Sequence, residues 1–395
     1  MLFCFSLFFS QKEKESKKTT RTCRKQQQET IPIFSNSNRM ITLLFKQSKS
    51  KLVRYLSTDK HTLYETLQVI QKSPDIFIQP AETLFVYPYR TSVFGGQLVG
   101  SAMYAASKTL TKNYPLHSFH SYFLESADNS SEITYTIKRL RDGRSFETRS
   151  VTARQENRII FECEMSFHRK EEGQLVHQPK MPDVGVVPPE QLHSTRDRFG
   201  DLLNDPRLKP ELRPFVELAL EMPARIDIRH CHPRDLLRPV PEWPARQLVW
   251  IRAHDHLPDD SHLHRSAVAY CSDRVLLTSA YLPYAMNMFS PRIRMQASLD
   301  HTMWFHDDFS FDTTSSTAQK TEPTDDIDEP LRPIRRSADI PTIPPRIPVR
   351  ADEWLLYELE CPIAMNNRAL VFGRIWTRTG RLIVTCAQEG VIRCY

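Results

Sequence analysis

The sequence predicts an α+β protein made of two copies of one unit, a buried helix with an antiparallel sheet wrapped around it. Three observations carry that expectation. Residues Ser92–Lys108 (Ser-Val-Phe-Gly-Gly-Gln-Leu-Val-Gly-Ser-Ala-Met-Tyr-Ala-Ala-Ser-Lys) are apolar or small nearly all round, and a helix with no polar stripe must be buried within its own domain. Four stretches of strand pattern follow: Ser118–Ser126, Ile133–Arg139, Ser145–Arg154 and Ile159–His168, the middle two joined by the turn signal Asp142-Gly143. The same order then returns from Leu248 onward, with Arg158-Ile-Ile-Phe-Glu-Cys163 laid against Arg381-Leu-Ile-Val-Thr-Cys386.

Length and composition bound what such a chain does. The 395 residues allow two or three compact units, each able to bury a core. The net charge of +6 is concentrated near the N-terminus, so it is weak support for nucleic-acid binding. Eight cysteines occur without a C-x-x-C pair, and Cys163, Cys271 and Cys386 lie in apolar runs, as free thiols of a reducing compartment do. No glycine-rich phosphate loop is present, and no segment is long enough to span a membrane. No metal and no cofactor is expected: His301 and His306 on one strand lack a third ligand and read as structural.

Taken in order, residues 1–61 read as a disordered or targeting tail. Met40–Ser57 carries Lys46, Lys49, Lys51 and Arg54 among apolar residues, with no acid before Asp59. That is either a mitochondrial import pattern, with Met40 the true start, or a solvated basic tail. The first repeat spans 62–170, beginning with helical spacing at Leu63–Ile70 and a strand over Thr83–Tyr89. Residues 171–246 are broken repeatedly by proline, with one helix surviving at Pro210–Leu220, and read as a linker packed over a surface without a third core.

The second repeat spans 247–395. It runs through a strand at Leu248–His254, a small-residue helix within Leu263–Leu282, and a strand over Arg292–His306. Strands at Trp354–Cys361, Ala369–Thr377 and Leu382–Arg393 close it, with Arg378-Thr-Gly380 as the last turn. It is interrupted at about 310–349 by a polar, proline-rich and acidic stretch, read as a disordered insertion or a retained intron. In the strand Met295–His306, Ser298 is either a residue of an ordinary half-buried strand or one arm of a reaction centre.

Six motifs in this order carry a resemblance: Val93-Phe-Gly-Gly-Gln-Leu-Val99, His117-Ser-Phe-His-Ser-Tyr-Phe-Leu124, Gly143-Arg-Ser-Phe146, Ser272-Asp273, Asp300-His-Thr-Met-Trp-Phe-His306 and Ala387-Gln-Glu-Gly-Val391. Together they resemble the acyl-CoA thioesterase II family. The resemblance implies a double hotdog fold and hydrolysis of fatty acyl-CoA to free fatty acid and CoA. It places the reaction on Asp273, Ser298 and Gln388, which hold the attacking water; the family often has Thr where this chain has Ser298. These residue types suit that chemistry, since a carboxylate accepts the proton while a hydroxyl and an amide orient the water. Met165 stands where the second repeat has Gln388, so one centre per chain is expected. The Gly95-Gly96 pair at the helix start offers backbone N–H groups for an oxyanion.

The partner implied is a fatty acyl-CoA substrate, with no nucleic acid and no membrane span; homo-oligomerisation is left open. A non-catalytic acyl-CoA-binding hotdog protein is the competing reading. The resemblance also points to the peroxisomal matrix, although the chain ends Ile392-Arg-Cys-Tyr395 without the Ser-Lys-Leu address; a mitochondrial location is the alternative.

Overall fold

A computed structural model describes residues 61–394 except 88–89, 172, 174, 186, 239, 242, 308 and 312–342. The chain opens with a short helix, α1 (Leu63–Leu67), closed by a capping box. Thr62 accepts from the Glu65 N–H at 3.2 Å, and the Glu65 carboxylate accepts the Thr62 N–H at 2.8 Å. Strands β1 (Ile70–Ser73) and β2 (Ile76–Gln79) follow, then helix α2 (Gly95–Ser107). The first repeat is completed by β3 (Leu116–Phe123), β4 (Ile133–Asp142), β5 (Phe146–Gln155) and β6 (Arg158–His168). Helices α3 (Thr195–Leu203) and α4 (Arg213–Glu221) and strand β7 (Ile226–His230) come next. The second repeat contains β8 (Arg246–Ala253), α5 (Ser261–Ser272), β9 (Ile293–Ser298), β10 (Asp300–Phe305), β11 (Leu355–Met365), β12 (Arg368–Thr377) and β13 (Leu382–Cys394).

These strands belong to one sheet, ordered β1-β2-β4-β5-β6-β3-β10-β13-β12-β11-β8-β7, with β9 paired to β13. The order is symmetric about its middle. Reading outward from β3 gives β6, β5, β4, β2; reading outward from β10 gives β13, β12, β11, β8. The two halves join where β3 and β10 run antiparallel, with His120 opposite Thr302. Period-two burial along β5 and β6 puts Val151, Ala153, Cys163 and Met165 on the inner face, against the helices.

The two central helices lie side by side and antiparallel: Gly96 faces the Tyr270 carbonyl, Gly100 faces the Ser266 carbonyl, and Tyr104 reaches Asp260. A Cβ at Gly96 would stand 2.5 Å from the Tyr270 oxygen, and one at Gly100 would stand 2.9 Å from the Ser266 oxygen. The small residues that marked a buried helix are therefore what allows two backbones to touch. The antiparallel pairing also brings the start of each helix to the end of the other.

The structure departs from the sequence expectations in four places. Residues 83–89 form no strand among their described members: the edge of β4 is taken by β2, and the Phe85 N–H is satisfied by the Gln97 side chain at 2.7 Å. The expected continuous strand over 292–306 is broken at Leu299. Ser298 pairs with Gly390 while Thr302 pairs with Ala387, so one extra residue stands on this strand, a bulge. The proline-rich linker carries its own small apolar cluster (Phe199, Leu202, Leu208, Val216) and adds β7 to the sheet. Finally, Phe309 and Val349, at the expected ends of the insertion, are core residues, 0% and 2% exposed; the insertion between 312 and 342 and the tail up to residue 60 lie outside the described residues. Among the described residues no helix is long and apolar enough to cross a membrane.

Candidate active site

Asp273 caps the C-terminus of α5, where the antiparallel pairing brings it to the first turn of α2. A Cβ on Gly95 would lie 2.9 Å from the Asp273 Oδ2. Glycine at this position is a condition for the carboxylate to reach the helix start. The Gly96 N–H donates to the same carboxylate. A carboxylate at a helix N-terminus is favoured by the unpaired N–H groups and the dipole there.

Two side chains converge on one oxygen of this group. Gln388 Nε2 donates to Asp273 Oδ1 at 2.7 Å, and Ser298 Oγ donates to the same oxygen at 3.4 Å. Gln388 is 1% exposed, on the inner face of β13, and its Oε1 is buried with no hydrogen-bond partner among the described residues. Ser298 reaches the site because of the bulge. An unbroken period of two would put it on the face of Asp300 and Thr302; the extra residue moves it to the face of His301, Met303 and Phe305.

Burial pushes the Asp273 carboxyl up to about 6, against the opposing pull of hydrogen bonds from Gln388, Gly96 and Ser298 and of the Arg274 charge. The residue as a whole keeps some exposed area, but the carboxyl itself is enclosed by protein. A carboxylate tuned toward neutrality is a stronger base than a free aspartate and still ionised for the most part near neutral pH.

Behind Asp273 lies a buried network that sequence reasoning did not find. Ser272 Oγ donates to the Ala269 carbonyl at 2.8 Å and pairs with His301 Nε2 at 2.9 Å. Tyr357 OH donates to the Ser272 carbonyl at 3.0 Å. His301 is 0% exposed, and burial lowers its imidazole to about 4, so it is neutral at physiological pH and serves as a structural partner. A Cβ on Gly373 would stand 2.5 Å from the Tyr357 ring, which makes that strand glycine the room for the tyrosine. The signal was present in Ser272 and His301; Tyr357 is a strand tyrosine with nothing in its neighbourhood to mark it.

The structure thus brings Asp273, Ser298 and Gln388 together.

Comparison with known proteins agrees with this architecture. Residues 87–168 match a model of an acyl-CoA thioesterase N-terminal domain, 241–325 one of acyl-CoA thioesterase, and 337–392 one of an acyl-CoA thioesterase C-terminal domain. Acyl-coenzyme A thioesterase 8 of Mus musculus is 34% identical over 307 residues, 78% of this chain and 82% of the mouse protein. The chain belongs to the acyl-CoA thioesterase II family. This thioesterase is also similar to the peroxisomal acyl-coenzyme A thioester hydrolase 1 of Saccharomyces cerevisiae, 24% identical over 84% of this chain and 94% of the yeast protein. Its fold matches the crystal structure of acyl-CoA thioesterase II TesB2 from Mycobacterium marinum, with a TM-score of 0.56, 30% identity, and coverage of 85% of this chain and 99% of that one. It is a thioester hydrolase with the double hotdog fold.

Proposed function

We propose that this thioesterase converts fatty acyl-CoA to free fatty acid and CoA by direct attack of a water held by Asp273, Ser298 and Gln388. The observation that carries the reading is the convergence of a half-buried hydroxyl and a buried amide on one oxygen of a carboxylate whose basicity burial has raised. Asp273 takes a proton from the water as its oxygen bonds to the thioester carbon. The tetrahedral intermediate then expels the CoA thiolate, a good leaving group because a thiol is far more acidic than an alcohol. The proton on Asp273 returns to the thiolate or to solvent, and the carboxylate is regenerated. Gln388 and Ser298 fix the position of the water, which converts its attack into an oriented, effectively intramolecular step.

The cross-strand pairing supports one centre per chain. His120 opposite Thr302 marks the local twofold between the halves, which sets Met165, opposite Phe119, against Gln388, one step beyond the Thr302–Ala387 pair. Met165 offers no amide. The test is thiol release over a range of acyl-CoA chain lengths with wild type and Asp273→Asn; full activity in the variant would refute the assignment. A peroxisomal location is supported by the likeness to the yeast protein, and microscopy of the full chain tagged at an internal loop, against peroxisomal and mitochondrial markers, checks it.

A further inference from the structure

The antiparallel helix pair has two equivalent ends. At one, the start of α2 meets Asp273 at the end of α5. At the other, the start of α5 meets Lys108, the residue that caps the end of α2 as Asp273 caps the end of α5. The same twofold that sets Met165 against Gln388 sets Leu116 against Ser298. The second end therefore carries Lys, Leu and Met where the first carries Asp, Ser and Gln, and these three supply neither a base nor a group to orient a water.

A cavity is nevertheless present there, of about 560 Å³, lined by Ser107, Lys108, Asn113, Lys170, His262 and Phe311, among others. That is within the range of small-molecule sites, about 300–1,000 Å³. Its two acids are committed to the protein. Asp260 caps α5, accepting from the His262 N–H at 2.9 Å and the Leu263 N–H at 3.2 Å, and its other oxygen accepts from Tyr104 OH at 3.1 Å. Asp259 is ion-paired with Arg350. Lys108 Nζ stands 3.9 Å from Asp260 Oδ2 and 3.9 Å above the Tyr104 ring, with its side chain 43% exposed. Lys170 adds a second ammonium to the wall. His262 pairs with Asn113 Oδ1 at 2.8 Å and is neutral, its imidazole lowered to about 4 by burial and the nearby Arg265 charge.

We propose that this cavity is a second, non-hydrolysing site that binds the anionic end of the enzyme's own substrate or product, a CoA phosphate or a fatty-acid carboxylate. The local twofold makes this recess the counterpart of the helix end that carries Asp273. Exchange of the carboxylate for an ammonium at the shared helix-end position removes the base and attracts an oxyanion in its place. The inference rests on the acyl-CoA reading for the identity of the ligand, and on the cavity and Lys108 for the site.

The test is binding stoichiometry by titration calorimetry of the full chain, with three probes used separately: CoA, decanoate and a non-hydrolysable acyl-CoA thioether. The expected result is two thioether sites per chain in the wild type and in Lys108→Arg, and one in Lys108→Glu. Whichever of CoA and decanoate loses at least about tenfold in affinity on Lys108→Glu identifies the anion held, that factor being the scale of one charge-assisted contact. One site per chain in the wild type with every probe overturns the proposal, even if Lys108→Glu fails to fold; so does an unchanged stoichiometry in a folded Lys108→Glu. Thiol release by the wild type is measured beside it, so that failure of the hydrolytic reading is seen separately.

Discussion

Asp273→Asn should remove hydrolysis and at the same time make the protein more stable at neutral and alkaline pH. The magnitude follows from the carboxyl itself. It rises from 3.8 to about 6 on folding because burial disfavours its charged form. At about 1.36 kcal/mol per pH unit, keeping it ionised in the fold costs about 3 kcal/mol. With a folded value above the unfolded one, that cost is absent below 3.8, grows as pH rises toward 6, and is complete above. Asparagine carries no charge to desolvate. It does forfeit one charge-assisted bond, because only one of its two terminal atoms accepts while Gln388 and Gly96 both donate. With about 1 kcal/mol taken off for that mismatch, the variant should exceed wild type by about 2 kcal/mol at about pH 8. The advantage should fall away by about pH 4.5, where most of the wild-type cost is gone. Urea unfolding at both pH values reads the difference, and thiol release should drop by about 10²–10⁴-fold, the usual contribution of a general base. A stability difference that does not change with pH, or turnover within a few-fold of wild type, would refute the assignment of Asp273 as a buried base.

Other measurements bear on the same site. In wild type, kcat/KM should rise with pH through a midpoint near the Asp273 value of about 6 and then level off, since the ionised carboxylate is the active form; a profile that falls over that range contradicts it. Gln388→Ala should lower kcat by about 10²-fold or more and move that midpoint upward, because it removes the 2.7 Å hydrogen bond that favours the carboxylate. Met165→Ala should leave the pH profile in place and cost about 2–5 kcal/mol of stability through the cavity it opens, Met165 being 1% exposed; equal kinetic losses from the two would sink the single-centre account. Gly95→Ala should reduce kcat with little loss of fold, since its Cβ would press on the Asp273 Oδ2 at 2.9 Å and on the Phe123 ring at 3.0 Å; full activity would show that the carboxylate has room to move. Deletion of 312–342, which spares the buried Phe309 and Val349, should leave the unfolding midpoint and thiol release near wild type.

The sequence by itself determined the repeated unit and the two buried helices, and through its family resemblance it nominated Asp273, Ser298 and Gln388 as site residues. Those are local or pattern-borne properties. A helix without a polar stripe is buried wherever it lies, strands show a period of two, and contiguous motifs hold Asp273 and Gln388, with Ser298 just ahead of a third. What only the tertiary structure decided depends on register and on contacts between distant segments. The bulge at Leu299 is one case: one extra residue moves Ser298 across the sheet, and nothing in an alternating strand pattern shows where the alternation slips. The strand expected over 83–89 is another: its apolar Leu84, Phe85 and Val86 are buried, but the place beside β4 is taken by Ile76–Gln79. Tyr357, Ser272 and His301 meet only in three dimensions, from a strand, a helix end and a second strand. The cavity at Lys108 depends on the antiparallel pairing of α2 and α5, which brings together residues more than 150 positions apart in the chain. Helix packing set that distance, through glycines whose missing side chains let two backbones touch.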